Sequence, residues 1–219
     1  MDNFINIVNA DIGYSKQSLI LKNVNLKIRE KDFIVIQGKN GSGKSTLLKT
    51  LYMKLIPLNG NFYLLGQNID KESKTKILDL RKKLGVILQN NYLIPYLSIY
   101  QNIELALHIQ EDKEINFSNR IKEIIEWVGL KNMNNKKIEH LSEGQKQKVI
   151  IARALICRPK ILIADEPMKS LDEETEKKLF FLLKSINKLG TTIIMTDKEN
   201  GIAKNIGSTS YKLVNGELK

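Results

Sequence analysis

The chain has 219 residues, enough for one large domain that buries roughly 70% of the surface its unfolded form exposes. Its single cysteine, Cys157, excludes an internal disulfide and a cysteine-cluster zinc site. The longest apolar stretch, around Val149–Cys157, is broken by Arg153 and falls short of the roughly 20 residues a transmembrane helix needs. The formal charge of +11 comes from 35 basic against 24 acidic residues, with lysines scattered over the whole length. No basic run interleaves with aromatics, so the charge reads as compositional bias and no nucleic acid is expected. The start, Met1-Asp2-Asn3-Phe4, lacks the basic-then-apolar form of a signal peptide, and a cytosolic chain is expected.

In chain order, Phe4–Val8 and Leu19–Ile28 read as strands, the second alternating through Val24, Leu26 and Ile28. Phe33–Gln37 is a short, apolar, β-branched run, the pattern of a buried parallel strand. A glycine-rich loop follows, then a helix over Thr46–Leu55. Gly60–Leu65 and Gly85–Leu88 read as further strands. From about Tyr92 to Leu155 the pattern turns helical, with Ile121, Ile124, Ile125 and Val128 on one face. Ser142 stands where a helix cap belongs, before a helix over Gln145–Ile156. Ile161–Ala164 is a strand, Glu173–Leu189 a helix, Thr191–Thr196 a strand, and Tyr211–Leu213 before Asn215-Gly216 a closing hairpin. Strand–helix alternation of this kind predicts an α/β core on a mainly parallel sheet, with the helical segment as a separate lobe.

The loop Gly38-Lys39-Asn40-Gly41-Ser42-Gly43-Lys44-Ser45 lies between a predicted strand and a predicted helix, the context a phosphate-binding loop requires. Glycines 38, 41 and 43 let backbone N–H groups converge on phosphate oxygens, and the helix start adds its positive dipole end. Lys44 suits the β- and γ-phosphates and the Ser45 hydroxyl suits Mg²⁺. Gly38, Asn40, Gly41, Ser42, Gly43, Lys44, Ser45 and Thr46 are the expected nucleotide ligands. Downstream, the strand Ile161–Ala164 ends in Asp165-Glu166. Asp165 suits the magnesium shell and Glu166 suits a general base that polarises the attacking water. An acidic pair after a strand is by itself also an ordinary turn; the loop gives it weight. No Asn-Lys-x-Asp guanine-reading motif is present.

Leu141-Ser142-Glu143-Gly144-Gln145, with the following Lys146–Leu155, strongly resembles the signature motif of ABC-type ATPases, Glu143 standing where a glycine is common. The resemblance runs through nearly the whole chain. It implies a P-loop NTPase core with a mainly parallel sheet, an antiparallel β subdomain and a helical subdomain at about 90–157, all within one domain of residues 1–219. It implies ATP and Mg²⁺ as ligands and a head-to-tail, ATP-dependent homodimer, in which Ser142, Gly144 and Gln145 of one subunit bind the nucleotide of the other. Tyr14 is placed like the aromatic that stacks on adenine, or is an ordinary tyrosine. Gln89 resembles the glutamine linking Mg²⁺ to a membrane partner, which makes it both a metal and a catalytic candidate beside Glu166 and Lys44. Ser170-Leu171-Asp172 resembles the loop that touches the facing subunit, and Asp172 also suits a helix cap.

Leu80–Pro95 and Ser98–Ile103 resemble the group containing the cell-division ATPase FtsE and the export ATPases LolD and MacB, with Tyr100-Gln101-Asn102 leaning toward FtsE. That implies an integral, FtsX-like membrane subunit and a peripheral position on the cytoplasmic face of the membrane. The pattern breaks at one place. Asp197 ends the strand Thr191–Thr196 where most of the family carries a catalytic histidine, and His108 and His140 cannot fill that place. An ionised aspartate only accepts hydrogen bonds, and one lost bond to a charged group costs roughly 1.5–3 kcal/mol. Asp197 turning away with water in its place, slow hydrolysis, and ATP binding with little turnover are the three readings; slow hydrolysis is expected, because Glu166 is present.

Overall fold

The computed structural model describes residues 4–69, 72–89, 92–110, 117–169, 171–198 and 209–219. Two sheets carry the architecture. The first is antiparallel, in the order β2-β1-β4-β5, built from β1 (Ile5–Ser15), β2 (Ser18–Ile28), β4 (Asn59–Leu64) and β5 (Gln67–Asn68). The second has the order β10-β9-β3-β8-β7-β6, with β3 (Phe33–Gln37), β6 (Leu84–Ile87), β7 (Ile161–Ala164), β8 (Thr192–Asp197), β9 (Thr209–Val214) and β10 (Glu217–Leu218). Its strands run parallel except β10, which folds back on β9. Asn215 and Gly216 make that two-residue turn with φ of 50° and 80°, the pair of left-handed residues a tight hairpin demands.

The parallel strands are buried on both faces, and side-chain alternation sorts them into two cores. Ile34, Ile36, Ile161, Ile163 and Ile194 point toward the antiparallel sheet and the helix α1 (Lys44–Leu51). Val35, Leu162, Ala164, Ile193 and Met195 point the other way, toward α3 (Ile99–Gln110), α4 (Phe117–Trp127), α5 (Glu143–Leu155) and α6 (Glu173–Lys188). The apolar stripes of α3 and α4, among them Ile103, Leu107, Ile121 and Ile125, merge into this second core. The helical segment therefore packs on the sheet's own face.

Two features differ in detail from the sequence expectation. Strand β1 continues through Ala10, Ile12 and Tyr14, bent by register shifts that begin beyond Ile7, with Asn9 at φ 48°. A bulge of this kind breaks strict alternation, which is why only Phe4–Val8 reads as a strand. Helix α2 (Lys74–Arg81) has only a short apolar face, buried Leu80 with partly buried Ile77, and is held besides by the Ser73 cap and by Arg81, which donates to the Met53 carbonyl at 2.7 Å. Cys157 is half-buried and donates to the Ala106 carbonyl at 3.4 Å, so it is a packing residue with a polar contact.

The starts of α3, α5 and α6 are set by side-chain caps. Ser98 and Gln101 close α3 reciprocally, and buried Asn102 ties the turn before it through Ile94 and the Ser98 carbonyl. Ser142 and Gln145 form the same box on α5, and Asp172 caps α6. The gene-family lean carried by Tyr100-Gln101-Asn102 thus falls on residues with local structural work.

Candidate functional site

The phosphate loop leaves β3 at its carboxyl end and runs straight into α1. Gly38 sits against neighbours that a Cβ would strike, 2.6 Å from Ser42 Oγ and 2.7 Å from the Leu213 carbonyl. Gly43 has φ 104°, and a Cβ there would lie 2.5 Å from Leu21 Cδ2. Gly41 faces open space. Helix α1 begins on Gly43 with no side-chain cap and no acidic residue in its first turn. Its leading N–H groups are left for a ligand, and the dipole end is unopposed. The Ser42 hydroxyl is buried without a hydrogen-bond partner among the described residues. An uncapped helix start, an orphaned hydroxyl and an open glycine all fit an arriving phosphate.

Lys44 is 6% exposed and donates to the Gly38 carbonyl at 2.7 Å and the Lys39 carbonyl at 3.2 Å. Its Nζ also lies 3.3 Å from Glu166 Oε1. Glu166 Oε2 faces Lys169 Nζ at 3.7 Å. Asp165 and Glu166 are fixed by one hydroxyl that sequence reasoning missed. Thr196 Oγ1 donates to Asp165 Oδ1 at 2.7 Å and accepts the Glu166 N–H at 2.8 Å. Thr196 is fully buried on β8, which pairs with β7 in register up to Ala164 and Met195. A threonine inside an apolar strand is the available signal, because a buried hydroxyl must find a partner. Glu166 itself has φ 44°, a left-handed turn that swings its side chain off the strand end.

Lys44, Glu166 and Lys169 border a cleft of about 370 Å³, lined also by Ile20, Asn40, Gly41, Gly43, Ser45, Thr46 and Gln89; Gly38, Ser42 and Asp165 are not among its lining residues. The volume is that of a small-ligand site. Ser45, Gln89 and Asp165 offer hydroxyl, amide and carboxylate oxygens, a hard donor set suited to Mg²⁺. Among the described residues no group of three His, Cys, Asp or Glu side chains could hold a metal by itself. Mg²⁺ is usually held by one or two carboxylates together with substrate phosphates.

The other expected residues lie elsewhere. Tyr14 is 58% exposed at the end of β1, and its hydroxyl accepts from Lys49 Nζ at 2.9 Å. That bond, with the nearby positive charge, holds the phenol below its ordinary pKa. Ser142, Gly144 and Gln145 do not line the cleft. Ser142 Oγ accepts the Gln145 N–H at 3.3 Å, and Gln145 Oε1 accepts the Ser142 N–H at 3.1 Å. The Ser142 hydroxyl hydrogen and the Gly144 N–H are outside this exchange. Gln147, two residues on, donates to the Pro167 carbonyl at 2.8 Å and so ties α5 to the segment carrying Glu166. Asp172 accepts from the Thr175 N–H and hydroxyl at 2.9 and 2.7 Å, bonds that lower its pKa. Ser170 lies outside the described residues. Asp197 ends β8 beside Gln37, and its Oδ1 accepts the Lys198 N–H at 2.7 Å. Burial first, then the Asp197 charge, raises the pKa of Glu176 on α6. His108 and His140 are exposed.

Residues 21–169 match the family model described as ABC transporter. An ABC transporter ATP-binding protein of Methanocaldococcus jannaschii is 38% identical over 203 residues, covering 92% of this chain and 90% of its own. The cell division ATP-binding protein FtsE of Streptococcus pneumoniae is 32% identical over 205 residues, covering 94% and 89%. The methionine import ATP-binding protein MetN of Francisella tularensis is 36% identical over 190 residues, covering 86% of this chain but only 54% of its own length. A dimeric, post-hydrolysis structure of the ATP-binding cassette MJ0796, bound to ADP and Pi, superposes with a TM-score of 0.89 at 31% identity, covering 98% and 96%. With the family model matching residues 21–169 and relatives above 30% identity along most of its length, the chain belongs to the ABC transporter family as an ATP-binding, ATP-hydrolysing subunit.

Proposed function

We propose that the chain drives a membrane complex by ATP-dependent, head-to-tail dimerisation. The observation that carries the reading is the split between the two helix starts. The α1 start with its loop forms the cleft, while the α5 start carries Ser142 and Gly144 outside it. Two copies facing head-to-tail bring each α5 start to the other's cleft, and the dimeric state of the MJ0796 cassette supports dimerisation.

In this reading the backbone N–H groups of the loop and of α1 hold the phosphates, and Asn40, Ser42 and Thr46 complete the cradle. Lys44 exchanges its contact with Glu166 for the β- and γ-phosphates, which leaves Glu166 able to take a proton from water. Asp165, Ser45 and Gln89 are the residues that would hold Mg²⁺, which supplies charge neutralisation to the phosphates when bound. Tyr14 offers an exposed ring to the adenine. Asp197 supplies no donor when ionised, so turnover is slow.

The membrane partner is received beside Gln89 and Tyr100, and the complex sits on the cytoplasmic side of the membrane. We assign the complex to the FtsE type, with an FtsX-like partner and a role in cell division. Coverage of 94% of this chain and 89% of FtsE supports it, against 54% of MetN. The import reading keeps the higher identity of the MetN relatives in its favour. Depletion of the chain in its host separates the two: filamentous or chained cells support the division role. Normal division with impaired methionine uptake overturns it.

A further inference from the structure

The cleft contains a cation that neither the loop nor the signature assigns. Lys169 lies three residues beyond Glu166 and lines the same cleft as Gly41, Lys44 and Gln89. Glu166 is held between two ammonium groups on separate oxygens, Lys44 at 3.3 Å from Oε1 and Lys169 at 3.7 Å from Oε2. The two lysines are not alike. Lys44 is buried and pinned by two carbonyls, whereas Lys169 is half-exposed, and 3.7 Å is a charge contact without a tight hydrogen bond. A long, half-exposed side chain is free to move its ammonium toward a second anion at little cost.

The surroundings supply such an anion and a reason. A terminal phosphate in the cleft sits next to Glu166, and two negative groups at that range repel unless a cation lies between them. The end of β8 does not provide one. Thr196 spends its hydroxyl hydrogen on Asp165, and Asp197 is a carboxyl group whose Oδ1 is already engaged by Lys198 N–H. Lys44 approaches from the loop side. Among the described residues lining the cleft, Lys169 is the other side-chain cation.

We propose that Lys169 is a catalytic residue of the ATPase: its ammonium bridges Glu166 and the γ-phosphate, donating to the phosphate from the side opposite Lys44. This rests on the assignment of the cleft and of Glu166 made above. A donor that strengthens its bond as charge builds on the transferred group accelerates hydrolysis, and its loss is felt in kcat more than in KM.

The test uses the full chain. Lys169→Met keeps the length of the side chain and removes the charge; kcat falls about ten- to a hundredfold, the worth of one bond to a charged group. Lys169→Arg restores most of it. In a Glu166→Gln background, where turnover does not blur binding, Lys169→Met weakens ATP by several-fold, less than the fall in kcat, and leaves ADP within about twofold. An unchanged kcat overturns the proposal. So does a fall in kcat with equal effects on ATP and ADP, which would make Lys169 a positioning residue for Glu166. Failure of the parent Glu166→Gln protein to bind ATP would overturn the cleft assignment itself, and the Lys169 proposal with it.

Discussion

Helices α1 and α5 both begin with a glycine in or beside the first turn, yet they begin in opposite ways. The start of α5 is closed on itself: Ser142 and Gln145 exchange hydrogen bonds, and Glu143 adds an acid to the first turn. The starts of α2, α3 and α6 are closed by Ser73, by Ser98 with Gln101, and by Asp172. Among these, α1 alone has no side-chain cap, no acid and a left-handed glycine in the cap position. A capped start is worth roughly 1 kcal/mol to the helix, so α1 forgoes that stability and keeps its N–H groups for a ligand. The α5 start keeps its shape with nothing bound, as an element that must wait for a second molecule has to. On the proposed head-to-tail arrangement, the helix start that meets its own chain's ligand is left open, and the one that meets a partner's ligand is closed like the other helix starts of the fold.

The largest test of this contrast is Glu166→Gln. Turnover falls about 10²- to 10⁴-fold, the range for losing a general base, and ATP accumulates a dimer visible by light scattering. A protein that stays monomeric with ATP and Mg²⁺ breaks the idea that the α5 start serves another copy's cleft. Asp197→His restores a donor at the end of β8 and raises kcat several-fold; an equal or lower rate in the purified chain or its membrane complex sinks the account of slow hydrolysis. The smallest effects sharpen the contrast most directly. Ser142→Ala lowers unfolding free energy by about 1 kcal/mol in the nucleotide-free chain, measured by denaturant titration. Ser42→Ala, which removes a buried hydroxyl with no hydrogen-bond partner among the described residues, leaves that stability unchanged or slightly raised and weakens ATP several-fold. Equal behaviour of the two serines would erase the distinction between an open and a closed start.

Much of this was legible in the sequence because backbone chemistry writes itself into residue type. The loop needs glycines at 38, 41 and 43, the buried strands need β-branched runs, and Ser142 and Asp172 announce helix starts. The harder parts are contacts between distant segments. Nothing local to Thr196 says that its hydroxyl reaches Asp165 and the Glu166 backbone 31 and 30 residues away. Lys169 reads as one lysine among many until the turn at Glu166 aims both into one cleft. Helix α2 has only a short apolar face, and Gln147 looks like an exposed helix residue until Pro167 lies beneath it.

That last bond has a consequence for timing. Helix α5 is a stiff rod of 13 residues, and Gln147 fastens its first turns to the carbonyl one residue beyond Glu166. Whatever grips the rod's free end also tugs on the segment carrying Glu166, the proposed general base, in the same chain. If the proposed head-to-tail dimer forms, with each rod on the other's nucleotide, each Glu166 is adjusted by its neighbour's occupancy and the two clefts keep a common clock. Hydrolysis then rises with ATP concentration more steeply than a single-site curve, and cutting the link with Gln147→Ala flattens that rise while leaving each cleft able to bind.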